Sequence, residues 1–575
     1  ERFGDRTDGH CLALAAFAVL TITIPARAED RPLQKLPYTP SLDVTALDKS
    51  VDPCVDFYQY SCGGWEKNNP LPGDQSNWSV YGKVYNDNQS FLWGLLEEAA
   101  KPSPARGAAA QKTGDHFAAC MDQDAIDAKG LAPIQADLDA IQALSNKAAL
   151  AALLGQLDIS LGNGILFAFG SNQDLGDSSR VIAFAGSGGQ SLPDRDYYLK
   201  DDEKSKEIRS QFTAHIVKLL TLAGDAPDVA AARAATALRF ETELARASLP
   251  RVERRDPEKI FHVMPFAKLQ EMTPEFSWAA YGAIAGFKAE GDVNVTEPQF
   301  YAKVSALFAN ESLDHWKTFI RWRYLNQQAR YLTRDFTAAD FAFYRKTLRG
   351  VASPTPRWKL CVAWVDRDLS EALGQVFVEK AFPPEAKQRT KEMAEGIVAA
   401  MKKRLEALPW MGPETKKMAL AKLSTLRNKI GYPDRWRDYS GLEIKAGDLV
   451  GNVARALAFE NRRQLSKIGK PVDRDEWQMS PPTVNAYYDP AMNDMNFPAG
   501  VLLPPLFDPK LDDAPNYGNT GSTIGHELTH GFDDSGSKFD ALGNLRDWWT
   551  EADGKEFAKR TRCVVDQYSG YTIVD

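Results

Sequence analysis

The chain of 575 residues carries 44% hydrophobic and 25% charged side chains, the proportions of a folded protein rather than a disordered one. Its 40 Gly and 33 Pro follow no short period, which excludes a collagen-like or low-complexity chain. Lys and Arg total 69 against 77 Asp and Glu, a net charge of −8 that offers nucleic acid no basic footprint, and no apolar run reaches the 18 or so residues of a membrane-spanning helix.

A chain this long predicts two or three domains. Arg2 and Arg6 precede an apolar stretch, Leu12 to Ile24, followed by Pro25, Ala26, Arg27 and Ala28. A basic start, a short apolar centre and an Ala-x-Ala exit predict a secretory signal over 1–28, cut after Ala28. The competing reading of those residues is an unstructured leader. Export implies a secreted, periplasmic or extracellular protein and permits disulfides. Residues 29–50 are polar and carry prolines, as a linker does.

The run CVDFYQYSCGGW, 54–65, predicts a helix stopped by Gly63-Gly64. A Pro-, Ala- and Gly-rich break follows at 101–110. Apolar residues at three- and four-residue spacing then predict helices near 136–157, 206–222, 229–247 and 388–408. The segment VASPTPRW, 351–358, reads as a break between helices. Short β-prone runs lie near 164–169, 181–185 and 483–488. The pattern predicts a mainly α fold with a small β component.

Six cysteines are present, Cys11, Cys54, Cys62, Cys120, Cys361 and Cys563, and removal of the leader leaves an odd number. No Cys-x-x-Cys pair occurs, which leaves a zinc ribbon or a thioredoxin-like site without support. His116 and Cys120 stand four apart, spaced either as metal ligands or as a histidine beside a buried or bridged cysteine.

The chemistry sits in GSTIGHELTHGFDD, 521–534, which holds His526-Glu527-Leu528-Thr529-His530, the pattern His-Glu-x-x-His. At about 100° per residue the two histidines lie about 40° apart on a helix, one turn along, and can reach one ion. Glu527 falls beside the stripe, where its carboxylate can deprotonate a water bound to that ion. Ile524 and Leu528 face away and can anchor the helix, and Gly531 can end it. Neutral imidazoles suit zinc with an open position for water. The pattern also fits two core histidines on an ordinary helix. The extended motif HExxHxxGxxH is excluded, because position 533 is Asp and position 536 is Gly. A third ligand must come from elsewhere in the sequence. The β-prone run TVNAYY, 483–488, is either a plain core strand or an exposed one able to pair with an extended peptide.

Several segments make the sequence recognisable: DPCVDFYQYSCGGW at 52–65, PRWKLCV at 356–362, DEWQMSPPTVNAYYDP at 475–490, NFPAGVLLPP at 496–505, and IGHELTHGFDD with GNLRDWW at 524–549. From about Pro40 to Asp575 the chain resembles the neprilysin-like zinc peptidases, peptidase family M13. The resemblance implies that His526 and His530 bind Zn2+, that Glu527 is the catalytic base, and that Asn485 and Ala486 hold the substrate backbone. It implies a two-lobed molecule. A thermolysin-like catalytic lobe would combine 51–100 with 441–575, and a helical lobe over 101–440 would enclose a cavity that admits short peptides. It also implies a Cys120–Cys361 bridge, with the partners of Cys54, Cys62 and Cys563 beyond Asp575.

Two departures stand out. The family's third ligand is a Glu in a downstream Glu-x-x-x-Asp motif, whose Asp orients the first histidine. No residue after His530 forms that motif, and Glu551 and Glu556 come too early to be the ligand. The expectation is a chain truncated before that ligand, before the transition-state His and before the substrate-binding Arg, and nearly inactive alone. Asn77 stands where the family often has an Arg that grips a substrate C-terminus, and Asn cannot make the charged two-pronged contact. The function expected is a secreted zinc metalloendopeptidase acting on short peptides. The alternatives are a non-catalytic peptide-binding homologue and a secreted structural helical protein.

Overall fold

A computed structural model describes residues 30–104 and 106–572. The expected signal segment over 1–28 lies outside the described residues. The fold is mainly α, with two small sheets. The expected helices near 206–222, 229–247 and 388–408 are Glu203–Leu222, Pro227–Ala247 and Pro384–Ala407. The long ones are amphipathic. In Pro227–Ala247, for instance, Ala230, Ala234, Ala237, Phe240, Glu241, Leu244 and Ala245 are buried at three- and four-residue steps.

Three local expectations need correction. The helix expected to stop at Gly63-Gly64 runs through it, from Phe57 to Asn68. A Cβ at Gly63 would strike the Gln59 side chain, and one at Gly64 the backbone of Thr45 and Ala46. The glycines allow close approach rather than ending the helix. The helix expected over 136–157 is two, Gln135–Ala143 and Leu150–Ile159, parted where Asn146 accepts from the Ala149 N–H and caps the short turn Lys147–Ala149 that leads into the second. The segment 29–50 is tied down where it is described. The Leu33 N–H donates to the Ser90 carbonyl, Trp358 Nε1 donates to Asp30 at 3.3 Å, and a short helical turn forms at Val44–Ala46.

The first sheet contains β1 (Ala168–Gln173), β2 (Val181–Gly186), β3 (Val263–Pro265) and β4 (Asp292–Val295) in the order β1-β2-β4-β3. The second contains β5 (Arg427–Gly431), β6 (Tyr487–Asp489) and β7 (Asp494–Pro498) in the order β5-β7-β6. β5 runs parallel to β7, with Arg427 opposite Asp494, and β6 runs antiparallel to β7, with Tyr488 opposite Met495. β7 is buried throughout, whereas β6 pairs on one side only and is an edge strand. Cys120 of the helix Ala108–Met121 and Cys361 of the helix Arg357–Asp368 are disulfide-bonded, with Cα atoms 5.6 Å apart. Cys54, Cys62 and Cys563 are free thiols.

Candidate active site

The helix Ser522–His530 carries the His-Glu-x-x-His residues and ends at Gly531. Ile524 is 0% and Leu528 1% exposed, which anchors one face against the helix Pro384–Ala407 and the strands β6 and β7. Tyr81, on the helix Val80–Ala100, shares a hydrogen bond of 3.1 Å with Thr523 at the N-terminal end. The opposite face is left open, and both histidines are exposed there.

The Nε2 atoms of His526 and His530 approach to 3.1 Å, with ring planes at 83°. Two imidazoles bound at 2.0–2.1 Å to one tetrahedral ion would hold their nitrogens about 3.3 Å apart. The pair therefore fits one zinc ion. Asp533 accepts from His530 Nδ1 at 2.8 Å. An ionised carboxylate can only accept, so Nδ1 carries the proton and Nε2 presents its lone pair to the shared point. Asp533 is itself held, because its other oxygen accepts from the Ser535 and Gly536 N–H groups at 3.0 and 2.7 Å.

Glu527 is 7% exposed beside the exposed histidines. Burial pushes its carboxyl above the usual carboxylate range, while His526, His530 and the facing Tyr488 backbone N–H pull the other way. Tyr488 belongs to β6. A Cβ added at Gly531 would meet the Tyr488 ring and hydroxyl at 3.2–3.3 Å, so the bare glycine lets strand and helix close on one another.

Asn485 and Ala486 immediately precede β6. The expected strand 483–488 is shorter than the sequence suggests, because Thr483 to Ala486 are not paired with a neighbour. Asn485 is exposed and Ala486 is buried. A cavity of about 850 Å3 includes neither histidine nor Glu527 in its lining, which does contain Thr483 and Asp489, on either side of Asn485 and Ala486 in the chain.

Among the described residues no group of three or more His, Cys, Asp or Glu could hold a metal ion. Glu551 and Glu556 pair with Lys555 and Arg560 along their own helix, Glu551–Ser569, as solvated side chains do. The disulfide removes Cys120 from any pairing with His116, which instead bonds Asp368 at 2.8 Å. His215 bonds Asn326 and His315 bonds Glu311. Asn77 is exposed. Sequence reasoning missed Asp533 as the partner of His530, although its spacing of three residues after the histidine on a polar stretch was available.

Two models of peptidase family M13 match the chain, one over residues 53–433 and one over 485–575. An endothelin-converting enzyme homolog of Locusta migratoria is 32% identical over 559 residues, covering 92% of this chain and 76% of the relative. Endothelin-converting enzyme 1 of Homo sapiens is 31% identical over 552 residues, covering 92% and 70%. Among solved structures, the zinc metalloprotease Zmp1 of Mycobacterium tuberculosis in complex with an inhibitor superposes with a TM-score of 0.88 at 36% identity, covering 93% of this chain and 81% of that one. PepO from Lactobacillus rhamnosis superposes with a TM-score of 0.83 at 26% identity, covering 90% and 82%. With its helical body, its small sheets and its paired histidines, the chain belongs to peptidase family M13.

Proposed function

We propose that the protein is an exported zinc-dependent endopeptidase that hydrolyses short peptides. The observation that carries this reading is the approach of the two Nε2 atoms to 3.1 Å with the Glu527 carboxyl buried alongside. His526 Nε2 and His530 Nε2 would hold zinc, which when bound would supply a Lewis acid for the scissile carbonyl and make water easier to deprotonate.

The chain's own residues do the rest. Glu527 takes a proton from the attacking water on a carboxylate oxygen and gives it to the leaving amide nitrogen. Burial raises its proton affinity, the direction a base working near neutral pH needs. Asp533 keeps the His530 Nδ1 protonated and the ring in place. The exposed Asn485, the backbone of the buried Ala486 and the edge strand β6 offer main-chain and amide groups to an extended peptide. The segments 51–100 and 441–575 form the catalytic lobe, and 101–440 forms the helical lobe. Export is supported by the leader pattern over 1–28 and by the Cys120–Cys361 bridge.

Two histidines make two of the three protein ligands a catalytic zinc site needs. With no third donor among the described residues, this chain holds zinc weakly and turns over slowly. The test is hydrolysis of an internally quenched peptide with and without a chelator, in the protein and in Glu527→Gln. Chelator-sensitive cleavage that Glu527→Gln abolishes supports the reading, and cleavage indifferent to both overturns it. The alternative reading is a non-catalytic peptide-binding homologue of the same fold. That reading predicts peptide binding unchanged by Glu527→Gln and no cleavage from either protein.

A further inference from the structure

Behind the histidine helix stands a buried lysine that no catalytic step uses. Lys422, on the helix Pro413–Ser424, is 1% exposed. Its ammonium donates to two carbonyls, Gly536 at 2.8 Å and Phe539 at 2.6 Å, both in the segment that follows the histidine helix. The rings of Trp548 and Tyr488 flank it at 5.6 and 5.9 Å. Asp533 and Asp540 attract it through space, yet burial outweighs them and pushes the ammonium down to about 7.

Two chains of contacts lead from this residue to the site. In the first, Lys422 Nζ fixes the Gly536 carbonyl, and the N–H of the same Gly536 donates to Asp533 Oδ1 at 2.7 Å. The other oxygen of Asp533 holds His530 Nδ1 at 2.8 Å. In the second, the Lys422 backbone carbonyl accepts from Asn493 Nδ2 at 2.9 Å. Asn493 is 1% exposed and adopts φ 48°, a left-handed conformation costly for any residue but Gly and tolerated best by Asn and Asp. Its Oδ1 accepts from the Tyr488 hydroxyl at 2.8 Å, and the Tyr488 backbone N–H faces the Glu527 carboxylate.

We propose that Lys422 is a positioning residue for hydrolysis, its side chain pinning the partner of His530 while its backbone carbonyl, through Asn493, steadies the strand that faces Glu527. The inference rests on the proposed peptidase function. A misplacement of about 1 Å can cost about 100-fold in rate, so the pin matters although it touches neither substrate nor metal. Lys147 serves as a control of like chemistry at a remote place, since its ammonium also donates to carbonyls, those of Phe308, Ala309 and Glu311.

The experiment compares Lys422→Met, which keeps the length and loses the charge, with Lys422→Gln, which keeps a donor, and with Lys147→Met. Folding is checked by circular dichroism and Tm. Zinc affinity is read by chelator competition, the ligand field by the visible spectrum of the cobalt-loaded protein, and kcat and KM by the quenched peptide. Both Lys422 variants are expected to fold. Lys422→Met should weaken zinc about 10-fold and lower kcat about 10–100-fold with KM within about threefold, with an altered cobalt spectrum. Lys422→Gln should fall between it and the parent, and Lys147→Met should lower Tm alone. A parent that binds zinc beside Lys422 variants that lower only Tm overturns this inference alone. A parent that neither binds zinc nor cleaves overturns the proposed function as well.

Discussion

Removing the Asp533 carboxylate tests how much the site depends on orientation rather than on the histidines alone. The bond from His530 Nδ1 to Asp533 Oδ2 measures 2.8 Å. A hydrogen bond to a charged group contributes about 1.5–3 kcal/mol net. The Asp533 side chain is 30% exposed, so water takes up part of that loss when the carboxylate is removed. The remainder falls within the 10–100-fold, or about 1.4–2.7 kcal/mol, by which an orienting partner changes metal affinity. Asp533→Ala should therefore weaken zinc by about 10–100-fold. Asp533→Asn retains an acceptor for either Nδ1 or the Ser535 and Gly536 N–H groups but loses the charge, and should cost less, about 10-fold or below. The assay is competition against a chelator of known affinity at fixed pH, with Tm recorded for each variant. If Asp533→Ala binds zinc as tightly as the parent, the carboxylate orients nothing and the argument from Nδ1 fails.

Three further outcomes follow from the geometry. His215 is 6% exposed, stacks on Phe343 and has its pKa pushed down to about 4 by burial. The unfolded chain then binds the proton first as pH falls, so this group's contribution is complete above about 6.5 and is lost towards pH 4, by at most about 3 kcal/mol; denaturant titrations at pH 7 and pH 4.5 should show that slope, and His215→Gln should flatten it. Cys120→Ser with Cys361→Ser opens a loop of 241 residues between two fully buried positions and should cost about 3–5 kcal/mol, seen as a lower Tm that reductant no longer changes. Asn485→Ala should lower kcat/KM about 2–10-fold, the net worth of one neutral hydrogen bond, while zinc affinity stays that of the parent; a variant with unaltered kcat/KM removes Asn485 from peptide binding.

What could be read along the chain was whatever repeats on a single element. His526 and His530 stand one helical turn apart, and Ile524 and Leu528 fill the core side of the same turn, so the face that carries the histidines and the face toward the core are both visible in nine residues. The amphipathic helices 206–222 and 229–247 are legible for the same reason. Distant chain segments meeting in space leave no such trace. Gly63 and Gly64 looked like a helix stop because the role of Gly64, admitting the segment at Thr45 and Ala46, is a close approach between elements. The loop between Ala143 and Leu150 was hidden by an apolar pattern that continues on both sides of it. Lys422 reaches the site through Asn493 and Gly536, 71 and 114 positions away in the sequence, which no local period can announce.

The most direct test of the central claim is the zinc binding isotherm of the protein beside those of His526→Ala and His530→Ala. The account predicts one zinc per chain for the parent and a loss of about 100-fold or more in affinity for each variant, since each removes one nitrogen donor from the same ion. Equal zinc affinity in all three proteins would contradict it.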